Sequence, residues 1–322
     1  SASRSGCSRT TSCPARVREL GGTVLADYQS AYNGLKVRIA EHRLADLGAL
    51  PGVTGVHATR AVAVSNARGL PLVGAPAAWD GAGSGMHGEG VKVALLDTGI
   101  DYTHADFGGT ATVAAYQAAR AAGTEKASWM FGPRAPKVKG GIDLVGDSYN
   151  ADPAGPGHQP IPHPDPNPLD CNGHGTHLAG TIAGFGVLSD GRTYRGDYDA
   201  GTIGGRSWLV APGVAPKADL YAVRIFGCRG SSDALLDGIE WAVEHDMDVI
   251  AMAVADPYGT AETPEAQAAD NAAAAGAIVV AASGSDGRHG STYRTGSPGS
   301  GDRVISVAAS DAVPTHPRAH VT

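Results

Sequence analysis

The chain has few aromatic residues and no excess of positive charge. Aromatics make up 6% of its 322 residues, and Asp plus Glu outnumber Lys plus Arg, 32 to 25, for a formal charge of −7. That balance excludes a general nucleic-acid binder, which needs a basic face. No apolar run approaches the roughly 18 residues that a spanning helix requires, so no membrane span is expected. Residues 1–20 open on Ser1 and lack the apolar core of a signal peptide. The expectation is a removed leader or an incomplete N-terminus. Cysteine and methionine are scarce, at four each, whereas glycine is abundant at 46. This is about twice the usual share of roughly 7% and suits tight turns and close backbone approach.

Cys7 and Cys13 lie in a Ser/Arg-rich start without periodicity and read as part of a frayed segment. Cys171 and Cys228 each flank a motif expected near a cleft. A disulfide between them, implying an oxidising compartment, and two free thiols are both open on the residues alone. Residues 1–60 hold a small α+β unit: a strand at 22–28, a turn at 32–34, a strand at 35–40, a helix at 41–50 and a strand at 53–57. Residues 61–90 carry scattered Gly, Pro and Ser and read as a linker with one helical turn at 75–79.

From residue 91 the pattern becomes α/β. Near-continuous apolar strands are expected at 91–97, 219–225, 248–254, 277–282 and 303–308, with helices at 174–185, 232–245 and 262–275. Ser232 is the expected cap of the second helix. Such alternation indicates a parallel sheet with helices on both faces, in which ligands bind at the carboxyl ends of strands. Residues 132–170, rich in Pro, Gly and Asp, read as an insertion loop. Its Asp143, Asp147, Asp152 and Asp165 offer oxygens to a structural calcium ion or are simply solvated, because they show no recurrent ligand spacing.

Two motifs carry the chemistry. Val91-Lys92-Val93-Ala94-Leu95-Leu96-Asp97-Thr98-Gly99-Ile100-Asp101 is a buried strand that ends in an acid at a glycine turn. Asn172-Gly173-His174-Gly175-Thr176-His177-Leu178-Ala179-Gly180-Thr181 feeds a histidine into a small-residue helix. A base that activates a nucleophile needs a carboxylate on its far nitrogen; His174 and Asp97 suit those roles. A metal-ligand reading of His174 and His177 at i, i+3 is the competing alternative, set against the His-Glu-x-x-His of zinc peptidases, which is not present here; the metal is left unknown. His177 reads as a buried structural histidine behind the site.

From about 90 to 309 the chain resembles the subtilisin-like serine peptidases (subtilases). Besides the two motifs, the resemblance rests on Val210-Ala211-Pro212-Gly213-Val214-Ala215-Pro216, on Leu220-Tyr221-Ala222-Val223-Arg224, on Gly238-Ile239-Glu240-Trp241-Ala242-Val243 and on Ile278-Val279-Val280-Ala281-Ala282-Ser283-Gly284. The resemblance implies a serine endopeptidase with a polypeptide substrate and no required cofactor. It implies that 91–322 is the front two-thirds of the catalytic domain. Asp97 would orient His174, the main chain of Ala253, Val254 and Ala255 would pair with extended substrate, and Ser285 would stand at the oxyanion donor. Segment 15–60 resembles the family's inhibitory propeptide, which makes the chain's own propeptide a partner in the cleft. The resemblance also implies a Cys171–Cys228 disulfide and hence an extracellular, secreted protein.

Three departures stand beside these matches. Ala255 replaces the family's glycine, and Ser285 replaces its asparagine. No Gly-Thr-Ser-Met-Ala segment, the family's source of the nucleophile, occurs in the 322 residues. Ser291, Ser297, Ser300, Ser306 and Ser310 do not open a helix after a Gly-Thr turn. The expectation is a chain truncated ahead of its serine; the alternative is a catalytically inactive, peptide-binding form of the same fold.

Overall fold

The computed structural model describes residues 2–3, 13–28, 34–53, 56–58, 66–80, 85–121, 129–285 and 295–310. Ser1–Val64 falls in one compact unit and Ser65–Asp286 in a second. In the first, β1 (Ala2–Ser3), β2 (Thr23–Tyr28), β3 (Gly34–Arg38) and β4 (His57–Ala58) form an antiparallel sheet in the order β2-β3-β1-β4. Helices α1 (Cys13–Glu19) and α2 (Leu44–Gly48) accompany it. Val17, Leu35, Val37 and Leu47 make the core, together with Cys13. Cys13 therefore corrects the expectation of a frayed start: it is 5% exposed and disulfide-bonded. Cys7 and positions 32–33 of the expected turn lie outside the described residues.

The second unit opens with α3 (Asn66–Leu72) and α4 (Ala75–Trp79). The segment read as a linker is thus packed structure. Trp79 is buried beside Leu70, Tyr194 and Tyr198, and its indole N–H donates to Val214 O at 2.8 Å. The remaining elements are β5 (Lys92–Asp97), α5 (Val113–Ala121), β6 (Val138–Asp143), α6 (His174–Ala183), β7 (Val187–Leu188), β8 (Trp208–Val210), β9 (Asp219–Arg224), α7 (Leu235–Glu244), β10 (Val249–Met252), α8 (Pro264–Ala274), β11 (Ile278–Ala282) and β12 (Ile305–Val307).

Six of these strands form one parallel sheet, ordered β12-β11-β10-β5-β9-β6. Alternation along β5 serves both faces. Ala94 and Leu96 pack with Ile239 and Ala242 of α7 and Ala269 and Ala272 of α8. Val93 and Leu95 pack on the other face with Ala179 and Ala183 of α6. Apolar burial on both faces is why these strands read as unbroken apolar runs.

Two expectations of detail need correction. β6 lies inside the stretch read as a loop. Its Gly140-Gly141 gives no apolar period, yet Gly141 is what permits the pairing: a Cβ there would stand 2.0 Å from Ala222 O. Ser232 is not the cap of α7, which starts three residues later; its hydroxyl accepts from Ala234 N at 3.1 Å and donates to Ile225 O. Thr263, by contrast, does cap α8, with Pro264 in the first turn.

Asp106 fixes the far end of α6. It is buried, accepts from Gly186 N at 2.7 Å, and lies so close to the helix that a Cβ at Gly184 would meet its Oδ2 at 2.1 Å. Burial pushes its carboxyl up to about 7, against the pull of the Gly186 hydrogen bond and the Lys137 charge. Between about 4 and 7 the folded state therefore holds a proton that the unfolded chain releases, and this group's contribution to stability falls as pH rises. Asp106→Asn is expected to remove that slope. Urea unfolding at pH 5 and pH 8 should show wild type losing stability relative to the variant.

Candidate active site

Asp97 ends β5, inside the sheet between β10 and β9, and is fully buried. Its Oδ1 accepts from Thr98 N at 2.7 Å and meets His174 Nδ1 at 2.7 Å. Burial raises this carboxyl above its usual value, while the hydrogen bonds from His174 and Thr98 oppose the rise. His174 opens α6 behind Gly173, which takes φ +102 as N-cap. The imidazole side chain is 53% exposed. With Nδ1 committed to a buried carboxylate, the opposite edge of the ring, bearing Nε2, is left toward the open side. Gly175 makes this approach possible, since a Cβ there would stand 2.2 Å from Gly99 O and 3.1 Å from Asp97 Oδ1.

Asp170, which motif reading passed over, ties the two motifs together. Its Oδ1 accepts from Thr98 Oγ1 (3.0 Å), Asn172 N (2.8 Å) and Gly173 N (2.9 Å). Its Oδ2 accepts from Thr176 N (3.0 Å) and Thr176 Oγ1 (2.5 Å). Thr98 Oγ1 in turn accepts from Gly175 N at 2.9 Å. One buried carboxylate thus satisfies N–H groups at the start of α6 and clamps them to the residue after Asp97. An acid four residues ahead of a helix-opening histidine was the available signal.

Cys171 and Cys228 form a disulfide with Cα atoms 5.1 Å apart. The bridge joins the His174 turn to the carboxyl end of β9. Beside it Arg224, 2% exposed, pairs through Nη1 with Asp143 Oδ2 at 2.9 Å and Asp147 Oδ1 at 2.8 Å. Asp147 also takes Arg120 Nη2 at 2.6 Å. Burial pushes the Asp147 carboxyl up, but the two guanidiniums outweigh it and hold it below the usual carboxylate range. Asp152 accepts from Ala154 N and Asp165 from Asn167 N. The four acids offered to calcium thus face guanidiniums and backbone N–H groups. Among the described residues, the one His/Cys/Asp/Glu group of three with ligand atoms within 4.8 Å is Asp147 with the two bonded sulfurs.

Ala253, Val254 and Ala255 follow β10, half-buried, at the same edge of the sheet as Asp97. The expected strand stops at Met252, and Asp256 instead forms an antiparallel bridge with Ser297. Ser285 is exposed beyond the end of β11, next to Gly284 at φ +102. His177 is exposed, not buried as the sequence suggested. The helix buries Gly175, Ala179, Gly180 and Ala183, and position 177 falls on the other side. Ser297 is buried with its hydroxyl 2.5 Å from Thr263 Oγ1, Ser306 and Ser310 are exposed, and Ser291 lies outside the described residues.

Residues 88–319 match the model of the subtilase family of S8 peptidases. The chain is 33% identical over 247 residues to subtilisin DY of Bacillus licheniformis, covering 76% of this chain and 64% of that protein. It is 29% identical over 298 residues to subtilisin E of Bacillus subtilis (strain 168), covering 91% and 60%. Among solved structures, sphericase aligns at 24% identity with a TM-score of 0.43, covering 73% of this chain and 59% of that one. The chain spans less than two thirds of the length of each of these proteins.

Removing Asp170 should be costly. Hydrogen bonds to a charged group each contribute about 1.5–3 kcal/mol, so Asp170→Ala is expected to lose about 3 kcal/mol or more in urea unfolding. A loss below about 1 kcal/mol, in the range of ordinary surface changes, would show that the carboxylate does not hold the turn.

Proposed function

Because this chain belongs to the subtilase family, we propose that it carries the acid and the base of a serine endopeptidase. The single observation behind this reading is the 2.7 Å contact from a fully buried Asp97 to a half-exposed His174. Asp97 accepts a hydrogen bond from Nδ1–H, which leaves Nε2 with its lone pair. Nε2 takes a proton from an attacking hydroxyl and later returns it to the leaving amine. The carboxylate stays ionised and stabilises the imidazolium between those steps.

The substrate on this reading is an extended polypeptide. Its backbone pairs with the main chain of Ala253, Val254 and Ala255, which requires no particular side chain. The Ser285 hydroxyl would donate to the oxygen that becomes negative in the tetrahedral intermediate. Residues 1–60 would be the pro-segment, a reading supported by their antiparallel α+β architecture. An extracellular setting is supported by the disulfide-bonded Cys13, Cys171 and Cys228. Among the described residues, no helix is long and apolar enough to cross a membrane.

A peptide-binding, non-catalytic form is the second reading. Ala255 and Ser285 favour it, because each replaces a residue the family uses at the substrate. Fluorophosphonate labelling separates the readings. The 322-residue chain is expected to stay unlabelled, since it lacks the Gly-Thr-Ser-Met-Ala segment; stoichiometric labelling would reveal an activated serine within it. In any longer polypeptide that contains this chain and cleaves peptides, Asp97→Asn is expected to lower kcat on the order of 10⁴-fold, with little change in KM. An unaltered kcat would remove Asp97 from the mechanism.

A further inference from the structure

We propose that the Cys171–Cys228 bridge is a thiol-exchange site, opened by a dithiol in the folded protein, and that opening it loosens the turn carrying His174. The inference starts from Arg224. Its Nη1 takes the carboxylates of Asp143 and Asp147, and its Nε donates to Phe226 O at 3.0 Å. Its Nη2, among the described residues, meets only sulfur: Cys171 Sγ at 3.1 Å and Cys228 Sγ at 3.6 Å. Arg120 Nη2 lies 3.9 Å from Cys228 Sγ. A disulfide sulfur is a weak acceptor. A buried guanidinium nitrogen facing two of them is poorly served until one becomes a thiolate, the charged acceptor that cations stabilise. Asp147, exposed and 3.7 Å from Cys171 Sγ, opposes a thiolate, but its charge is already spread over both guanidiniums.

The site is also open to a reagent. Cys171 and Arg224 line a cavity of about 80 Å³, together with Tyr116, Asn167 and Leu169. One sulfur of the dithiol, as thiolate, attacks Cys171 Sγ through this cavity. The S–S bond breaks, and its electron pair goes to Cys228 Sγ, where Arg224 and Arg120 stabilise it. A more stable leaving thiolate departs faster. The second sulfur of the reagent then displaces Cys171 as thiolate onto Arg224 Nη2. The reagent leaves as a cyclic disulfide, having passed two electrons to the protein and its thiol protons to solvent.

The consequence reaches the histidine. Cys171 stands three residues before His174, and the bridge is reinforced by Asn172 Nδ2 donating to Cys228 O at 3.2 Å. Asn172 Oδ1 accepts from His174 N at 3.3 Å. Once the sulfurs part, Asp170 still holds Asn172, Gly173 and Thr176, but the covalent tie from Cys171 to Cys228 is replaced by hydrogen bonds alone, those of Cys171 to Arg224 and of Asn172 to Cys228.

The test uses the intact 322-residue chain without denaturant. It is incubated with dithiothreitol at neutral pH, quenched with iodoacetamide at intervals and mapped by peptide mass, with hydrogen exchange followed in parallel. Cys171 and Cys228 should be alkylated together, Arg120→Gln should slow this several-fold, and amides of Asn172–His174 should exchange faster after reduction. Arg120 is used because loss of the buried Arg224 risks the fold. Sulfurs that stay bonded until urea unfolds the chain, an unchanged rate in Arg120→Gln, or unchanged exchange around His174 would each overturn the proposal.

Discussion

The contact between Asp97 Oδ1 and His174 Nδ1 joins residues 77 apart in the chain, and most of the second unit serves to make it. The sheet carries Asp97 to the carboxyl end of a strand with neighbours on both sides. The small-residue face of α6 lets that helix lie close enough for its first residue to reach the acid. A buried carboxylate is costly without partners. Here it has an imidazole and a backbone N–H, and both are delivered by glycine turns. The same geometry gives one ring nitrogen a fixed neighbour and leaves the other toward the open side, the asymmetry a general base requires.

Around this contact lies a second layer of buried charge. Asp170 binds the backbone before and after His174, and Tyr116 of α5 donates to its carbonyl at 2.9 Å. Arg224, at the end of β9, pairs with Asp97 in the strand register and spends its guanidinium on Asp143, Asp147 and the disulfide. The ends of β5, β9 and β6 thus contribute Asp97, Arg224 and Asp143, ionisable groups each already engaged by another element. Removing one member leaves its partner buried and uncompensated, so the loss of a single group from such a network is costly.

What could be read in advance follows the physics of each signal. The strands at β5, β9, β10 and β11 are buried on both faces and therefore announce themselves as apolar runs. Asp97 and His174 were legible because glycines flank them in a pattern few other needs impose. β6 was not, because it pairs through Gly140 and Gly141, where close approach replaces side-chain packing. Residues 66–80 looked like a linker with one helical turn; the turn at 75–79 is α4, whereas Gly69 and Pro71 hid α3, and Leu70, Ala75 and Trp79 bury the pair. Asp170 escaped because three of its five bonds come from backbone N–H groups, which leave no trace in residue type. His177 was assigned to the wrong side of its helix, because a histidine beside a motif draws a role that the burial of Ala179 and Ala183 denies it.

Histidine-labelled ¹⁵N NMR of the folded chain tests the central contact most directly. If Asp97 holds His174 as described, Nδ1 carries a proton that resonates far downfield and exchanges slowly with water. In Asp97→Ala that signal should vanish while the other histidine signals stay in place. A His174 ring protonated at Nε2 alone, or an Nδ1 signal that survives the substitution unchanged, would contradict the account.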